Sequence, residues 1–191
     1  MALILLLETS TDVCSVALSK NGIIINIEES LETNTHTEKL TILIQQCLHK
    51  AGYSFKELDA VALSSGPGSY TSLRIGTATA KGICYAMNIP LITLSSLYIL
   101  ASGVDPSLLK AQDVIISLID ARRMEAYAEV YDHNLNVLVP LHAIIFDEHS
   151  FASFSGTKHI CGDGAEKFIE AYHQDTLKMH HNRTSAQYMA Q

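Results

Sequence analysis

The hydrophobic pattern of this chain is written twice. Residues 3–7 are an apolar run closed by Glu8-Thr-Ser-Thr-Asp, residues 13–18 alternate with period two, Lys20-Asn-Gly reads as a hairpin turn, and residues 23–27 return as a strand. The order recurs later. Residues 114–119 are closed by Asp120-Ala-Arg-Arg, residues 124–131 alternate, Asp132-His-Asn turns, and residues 135–139 return. Each half then adds a strand that ends in a glycine turn and opens a helix: residues 60–63 before GPGS, and residues 158–160 before CGDGAEKF. This predicts a duplicated α/β unit, with the join marked by Ser102-Gly103, Asp105 and Pro106, giving lobes 1–105 and 106–191.

Two helices stand out in the first half. Thr35-x-x-Glu38 is a capping box, and Leu40, Leu43, Ile44, Cys47 and Leu48 form a core stripe ending near Gly52, which leaves His36 as a first-turn surface residue. The second helix runs over 69–87 without proline. On it Ser72, Gly76, Ala80 and Cys84 recur every four residues, a face that suits either a second helix or the helix's own sheet.

The turn before that helix, SSGPGSYTSLRIG over residues 64–76, is the most specific motif. A strand feeding a glycine turn into a helix leaves backbone N–H groups free to meet an anion. The familiar phosphate loops do not fit, because Lys81 lies far down the helix and the third glycine is Gly76. The alternative is that Gly66 and Gly68 only permit a tight turn and close strand–helix packing.

GPGSYTSLRIGTATAKG resembles the signature of the TsaB (YeaZ) family, whose usual form is GPGSFTGLRIG followed by an alanine-rich helix with AKG. IPLITLSSLYILA, the DAR at Asp120 to Arg122 and the GDGA at Gly162 to Ala165 extend the resemblance over most of the chain. It implies the actin-like, Hsp70-like, sugar-kinase (ASKHA) fold: two similar lobes of mixed sheets flanked by helices. It also implies a non-catalytic subunit of the bacterial machinery that makes N6-threonylcarbamoyladenosine at position 37 of tRNA. In that machinery the paralogue TsaD carries the chemistry, the ATPase TsaE completes the assembly, and tRNA is met only through the complex.

The resemblance further implies a vestigial nucleotide cleft at Glu8, Thr9, Ser10, Gly66, Gly68, Asp120, Gly162 and Gly164. No cofactor belongs to the chain itself, and ATP or ADP is expected only at a junction between subunits. Ser72, Leu73, Gly76, Ala80 and Cys84 would face TsaD or a second copy. The chain departs from the pattern at several places. Glu8 replaces the Asp of active members, Ser72 the usual glycine and Tyr70 the phenylalanine, while His36 is followed at the fourth position by Leu40 where TsaD has a paired histidine for its metal. A nucleotide-dependent phosphotransferase or ATPase with a working cleft between Glu8, Gly66 and Gly162 is the competing reading. The blander one for Glu8 and Asp120 is that they cap turns at strand ends.

Composition narrows the functions further. With 13 Lys and Arg against 20 Asp and Glu the formal charge is -7, so no basic face offers the several phosphate contacts that tRNA binding by this chain alone would need. Cys14, Cys47, Cys84 and Cys161 form no C-x-x-C pair and read as buried thiols. His142 and His149, in a segment read as irregular, and His173, His180 and His181 lack partners at ligand spacing, so no metal site is expected. No H-E-x-x-H and no nucleophile elbow exists, which rejects protease activity. Arg122 and Arg123 fit a phosphate or carboxylate contact as well as a solvated hairpin end. Glu8 ends the first apolar run too early for a signal segment or a membrane span, an expectation of a cytoplasmic protein. Residues 185–191 read as the opening of a helix, capped at Thr184 or Ser185, that would pack back on the first lobe and is cut short.

Overall fold

The computed structural model describes residues 2–32, 36–172 and 176–190. They form two compact units, one holding the residues up to Ile99 together with those from Thr184 onward, the other Leu100–Arg183.

In the first unit, β1 (Leu3–Glu8), β2 (Cys14–Lys20) and β3 (Ile23–Ser30) make an antiparallel meander. Helix α1 (His36–Ala51) crosses to β4 (Ala60–Ser64), and α2 (Tyr70–Met87) crosses to β5 (Leu91–Leu94). The sheet order is β3-β2-β1-β4-β5, with β4 parallel to both β1 and β5. A short helix, α3 (Ser96–Ala101), leads out of it. In the second unit β6 (Val114–Asp120), β7 (Glu125–Asp132), β8 (Val137–Ile145), β9 (Lys158–Cys161) and β10 (Leu177–His180) take the order β8-β7-β6-β9-β10, with α4 (Asp163–Ala171) between the last two strands. Strand for strand this is the first sheet again, so the duplication is real at the level of topology. Where the first unit has α1, the second has only turns over residues 148–153. Phe146, just before that segment, and Phe151 within it pack on Phe168 of α4, with ring centroids 4.9 and 5.5 Å away.

Each core lies between the sheet and its helices. In the first, Leu5, Leu7, Val16, Leu18 and Leu63 meet Leu40, Ile44 and Leu48 of α1 and Ala80 of α2. In the second, Ile116, Leu118, Val130 and Ile160 meet Ala165 and Phe168 of α4. All four cysteines are buried and free. Burial pushes the Cys14 and Cys161 thiols up to about 12, so they stay protonated and unreactive at neutral pH.

Three expectations need correction. The join falls at Leu100, earlier than 105, and the second lobe does not run to 191, since the residues from Thr184 pack back on the first unit as their reading as a returning segment expected. The segment Ala186–Ala190 is a single 3-10 turn whose Ala186 and Met189 cover Leu6, Ala17 and Ala62 on the sheet face away from α1. Ser185 Oγ donates to Glu29 Oε1 at 2.6 Å and Ala186 N to Ser15 Oγ at 2.9 Å, which fixes that segment to β2 and β3. His36 is the second correction, since it is 3% exposed and neither ring nitrogen has a hydrogen-bond partner. It stands four residues before Leu40 and eight before Ile44, so the helix turns it onto the inward face. Its proposed cap Thr35 lies outside the described residues, as does His173. Third, His142 lies on the regular strand β8 rather than in irregular chain. Among the described residues no helix is long and apolar enough to cross a membrane.

Candidate functional site

The acidic turn after β1 and the glycine turn before α2 form one closed structure. Glu8 has no exposed surface, and its Oε1 accepts the backbone N–H of Ser10 at 2.6 Å and the Ser10 hydroxyl at 2.5 Å. The longer glutamate side chain thus folds back on its own turn. Its Oε2 is buried without a hydrogen-bond partner, as is Thr9 Oγ1. Burial pushes the Glu8 carboxyl up to about 7, against the opposing pull of Ser10 and the nearby Ser64 hydroxyl. Thr9 N donates to Ser64 Oγ at 3.2 Å, which ties the turn to β4.

The glycine turn closes over this from the other side. Ser69 N donates to the Ser10 carbonyl at 2.7 Å, and a Cβ on Gly68 would overlap that same carbonyl. Gly66 has φ +100, a conformation that L side chains rarely adopt, and its carbonyl accepts Ser96 N at 2.9 Å. A Cβ on Gly76, nearly two turns into α2, would overlap Thr9 Oγ1. The glycines at 68 and 76 therefore serve close packing of the chain on itself. At Ser69 the backbone N–H that an anion would need is already taken, and the Ser69 hydroxyl accepts from Ser72 as the helix cap.

The corresponding turn of the second unit is chemically different. Asp120 is exposed, and its Oδ1 accepts Arg122 N at 3.0 Å and is ion-paired with Lys167 of α4. Lys167 also donates to the carbonyls of Arg123, at 3.0 Å, and Glu125. Asp120 N donates to Asp163 Oδ1 at 2.8 Å, and a Cβ on Gly162 would overlap the Leu118 carbonyl. Gly164 packs on Leu118, 3.1 Å from its Cβ to the Cβ a side chain would add. Arg122 and Arg123 take positive φ in the hairpin end. Sequence reading missed Lys167, whose signal was its position four residues after Asp163 on one helix face. The two equivalent acids thus stand in opposite states: Glu8 sealed in and drawn toward neutrality, Asp120 open and paired with a lysine. Among the described residues no three His, Cys, Asp or Glu side chains converge as a metal site.

Helix α2 corrects the expected docking face. Ser72, Gly76, Ala80 and Cys84 are its buried positions, and Ala80 and Cys84 belong to the unit's own core. Leu73 is half-buried, its Cδ1 3.3 Å from where a Gly66 Cβ would stand. The stripe seats the helix on its own sheet. The outward face carries a second stripe with the same spacing, Arg74, Ala78, Gly82 and Ala86, all exposed. A Cβ on Gly82 would meet nothing within 4 Å, and Tyr70 and Tyr85 beside the stripe are 75% and 92% exposed. Two tyrosines standing in solvent around a track of small residues are what a docking helix needs.

Two units with one strand order, each with an acidic turn locked to a glycine turn, define a duplicated actin-like protein. Residues 27–174 match the family model for TsaD, tRNA N6-adenosine threonylcarbamoyltransferase. The chain is 37% identical over 124 residues to the tRNA threonylcarbamoyladenosine biosynthesis protein TsaB of Haemophilus influenzae, covering 65% of this chain and 51% of that one. With the Escherichia coli TsaB it shares 33% over 133 residues, 70% of this chain and 56% of that one. The solved structure of YeaZ from Pseudomonas aeruginosa has the same fold, with TM-score 0.87 at 24% identity over all of this chain and 90% of that one. The chain belongs to the TsaB (YeaZ) family. Its match spans just over half the length of these curated relatives.

Proposed function

We propose that the chain acts in threonylcarbamoyladenosine biosynthesis as a non-catalytic subunit that docks a TsaD-type transferase, or a second copy of itself, on the outward face of α2. The observation that carries this is the exposed Ala78-Gly82-Ala86 track flanked by Tyr70 and Tyr85. Small side chains let a partner helix approach closely, and the tyrosines supply rigid contact area around it. The paralogue supplies the chemistry, a TsaE-type ATPase completes the assembly in the cytoplasm, and tRNA is held by the complex, consistent with a net charge of -7.

The inactivity of the chain itself rests on the closed Glu8 turn. A carboxyl drawn toward neutrality and bonded to its own Ser10 is a poor ligand for Mg²⁺, which demands near-octahedral oxygen geometry. Nucleotide then sits only at a junction between subunits. The deciding experiment mixes the protein with its cognate TsaD and follows complex formation by size exclusion, alongside Mg²⁺–ATP binding to the isolated chain. A stable complex without turnover by the isolated chain supports the proposal. Micromolar ATP binding with turnover that tracks with Glu8 would favour the phosphotransferase instead.

A further inference from the structure

Three titratable side chains of the second unit stand in a row away from the acidic and glycine turns, two of them hydrogen-bonded and the third at ion-pair distance. Asp113, just before β6, accepts the backbone N–H of Lys110 at 2.9 Å and of Thr157 at 3.1 Å, and presents Oδ2 to His159 Nε2 at 3.4 Å. His159 lies on β9 and is 1% exposed. Its other nitrogen, Nδ1, stands 2.8 Å from Nε2 of His180 on β10. The ring centroids are 5.0 Å apart with 24° between the planes, so the rings meet end to end and the bond lies near both ring planes.

This geometry assigns the protons. The Asp113 carboxylate, at ion-pair rather than hydrogen-bond distance, draws the proton of the neutral ring to His159 Nε2, which leaves His159 Nδ1 as an acceptor and makes His180 Nε2 the donor. Nδ1 of His180 is the remaining basic site. A first added proton goes there, keeps the bond between the two imidazoles, and is balanced by the nearby Asp113. A second can go only to His159 Nδ1, where it would face the N–H of His180 and break the bond. Among the described residues, the other charged or titratable groups around the pair are Lys178 on β10, His181 after it, and the Cys161 thiol on β9. Lys158, also on β9, donates to Thr176, while Glu166 of α4 lies 4.0 Å from His181. Burial first, then neighbouring cations, lower the proton affinity of both His159 and His180, although Asp113 pulls His159 the other way.

What the bond holds is a weak element. Strand β10 has four residues at the edge of the sheet and, among the described residues, pairs with β9 alone. The chain beyond it runs through Asn182, whose Nδ2 donates to the Leu100 carbonyl at 2.8 Å, to the Thr184–Ala186 anchor on β2 and β3. We propose that Asp113, His159 and His180 form an acid-sensitive latch: the strand stays on β9 while the pair of imidazoles carries no more than one added proton, and a second proton releases β10.

Hydrogen exchange of peptides covering residues 177–183 tests this at pH 7.5 and pH 5.0, with intrinsic rates corrected for pH. In the wild-type protein, protection of this segment should fall at least tenfold at pH 5.0 while β6 stays protected. His180→Gln keeps a donor toward His159 but takes up no proton, so its protection should be the same at both pH values. Retained protection of the wild type at pH 5.0, or an equal loss in His180→Gln, would overturn the latch. Nitrogen-15 NMR of the wild-type imidazoles gives a reading that does not depend on a variant's folding. His159 should remain neutral with its proton on Nε2 until β10 opens, and a His159 that charges while the strand stays protected overturns it equally.

Discussion

Ser69 donates its backbone N–H to the carbonyl of Ser10 at 2.7 Å, so the glycine turn and the acidic turn are one mechanical piece. Glu8 holds Ser10 from within, Ser10 holds Ser69, and Ser69 caps the helix that carries the proposed docking face. A change at Glu8 therefore reaches the first turn of α2 through two hydrogen-bonded residues.

The first consequence is a pH dependence of stability. With the Glu8 carboxyl at about 7 when folded and 4.5 when free, the folded chain binds the extra proton across that interval. The stabilisation is fully present below pH 4.5 and is lost as pH rises through 7. The shift corresponds to a loss on the order of 3 kcal/mol. Glu8→Gln keeps an acceptor for Ser10 and cannot ionise, so the difference in Tm between variant and wild type should move in the variant's favour between pH 5 and pH 8. A difference that is flat in pH would mean that Glu8 does not titrate in this window.

Glycine substitutions separate packing from propensity. A Cβ at Gly68 or Gly76 overlaps the Ser10 carbonyl or Thr9 Oγ1, so Gly68→Ala and Gly76→Ala should each destabilise by about 1–3 kcal/mol. Gly82 lies on the same helix as Gly76 with open space around its Cβ position, and Gly82→Ala should stabilise by up to about 1 kcal/mol through helix propensity alone. Urea unfolding midpoints of the three variants give the comparison, and equal effects at 76 and 82 would refute the close approach of α2 to Thr9.

In the second unit, Lys167 should matter more than the acid it pairs with. Asp120 is exposed, so the ion pair itself contributes at most about 1 kcal/mol. Lys167 also bonds the Arg123 and Glu125 carbonyls, which close the β6–β7 hairpin. Lys167→Met should therefore destabilise more than Asp120→Asn, by roughly the cost of two lost hydrogen bonds, about 1–3 kcal/mol. The reverse order in thermal unfolding would show the hairpin does not depend on the lysine.

The duplicated pattern was legible because each strand of the meanders carries its own period and each glycine turn its own punctuation. Strand β1, read over 3–7, forms over Leu3–Glu8, and β4, read over 60–63, forms over Ala60–Ser64. The second meander's return strand was read too short, since Pro140 and a half-exposed edge obscure the alternation of Val137–Ile145. The sequence left the facing of α2 open between its own sheet and a second helix. Ser72-Gly76-Ala80-Cys84 and Arg74-Ala78-Gly82-Ala86 have the same period, and only the contact of Gly76 with Thr9, a residue 67 positions away, decides which stripe turns inward. His36 was misplaced for the same reason: the face of a first-turn residue depends on where the helix docks.

That distinction between faces yields the sharpest test of the proposed function. Ala80 has no exposed surface and belongs to the same buried core as Leu63, Ile44 and Leu7, so Ala80→Arg should unfold the first unit by placing an unpaired charge in that core. Gly82→Arg, two positions along on the outward face, should leave the cooperative thermal transition in place, because nothing lies within 4 Å of the added side chain's base. Against a partner helix the same arginine would hold the two backbones apart, and association with the cognate TsaD should weaken at least a hundredfold by calorimetry. A folded Gly82→Arg protein that binds TsaD with unchanged affinity would move the docking surface off this helix face, while loss of the fold in Gly82→Arg would mean that the outward stripe is packed within the chain.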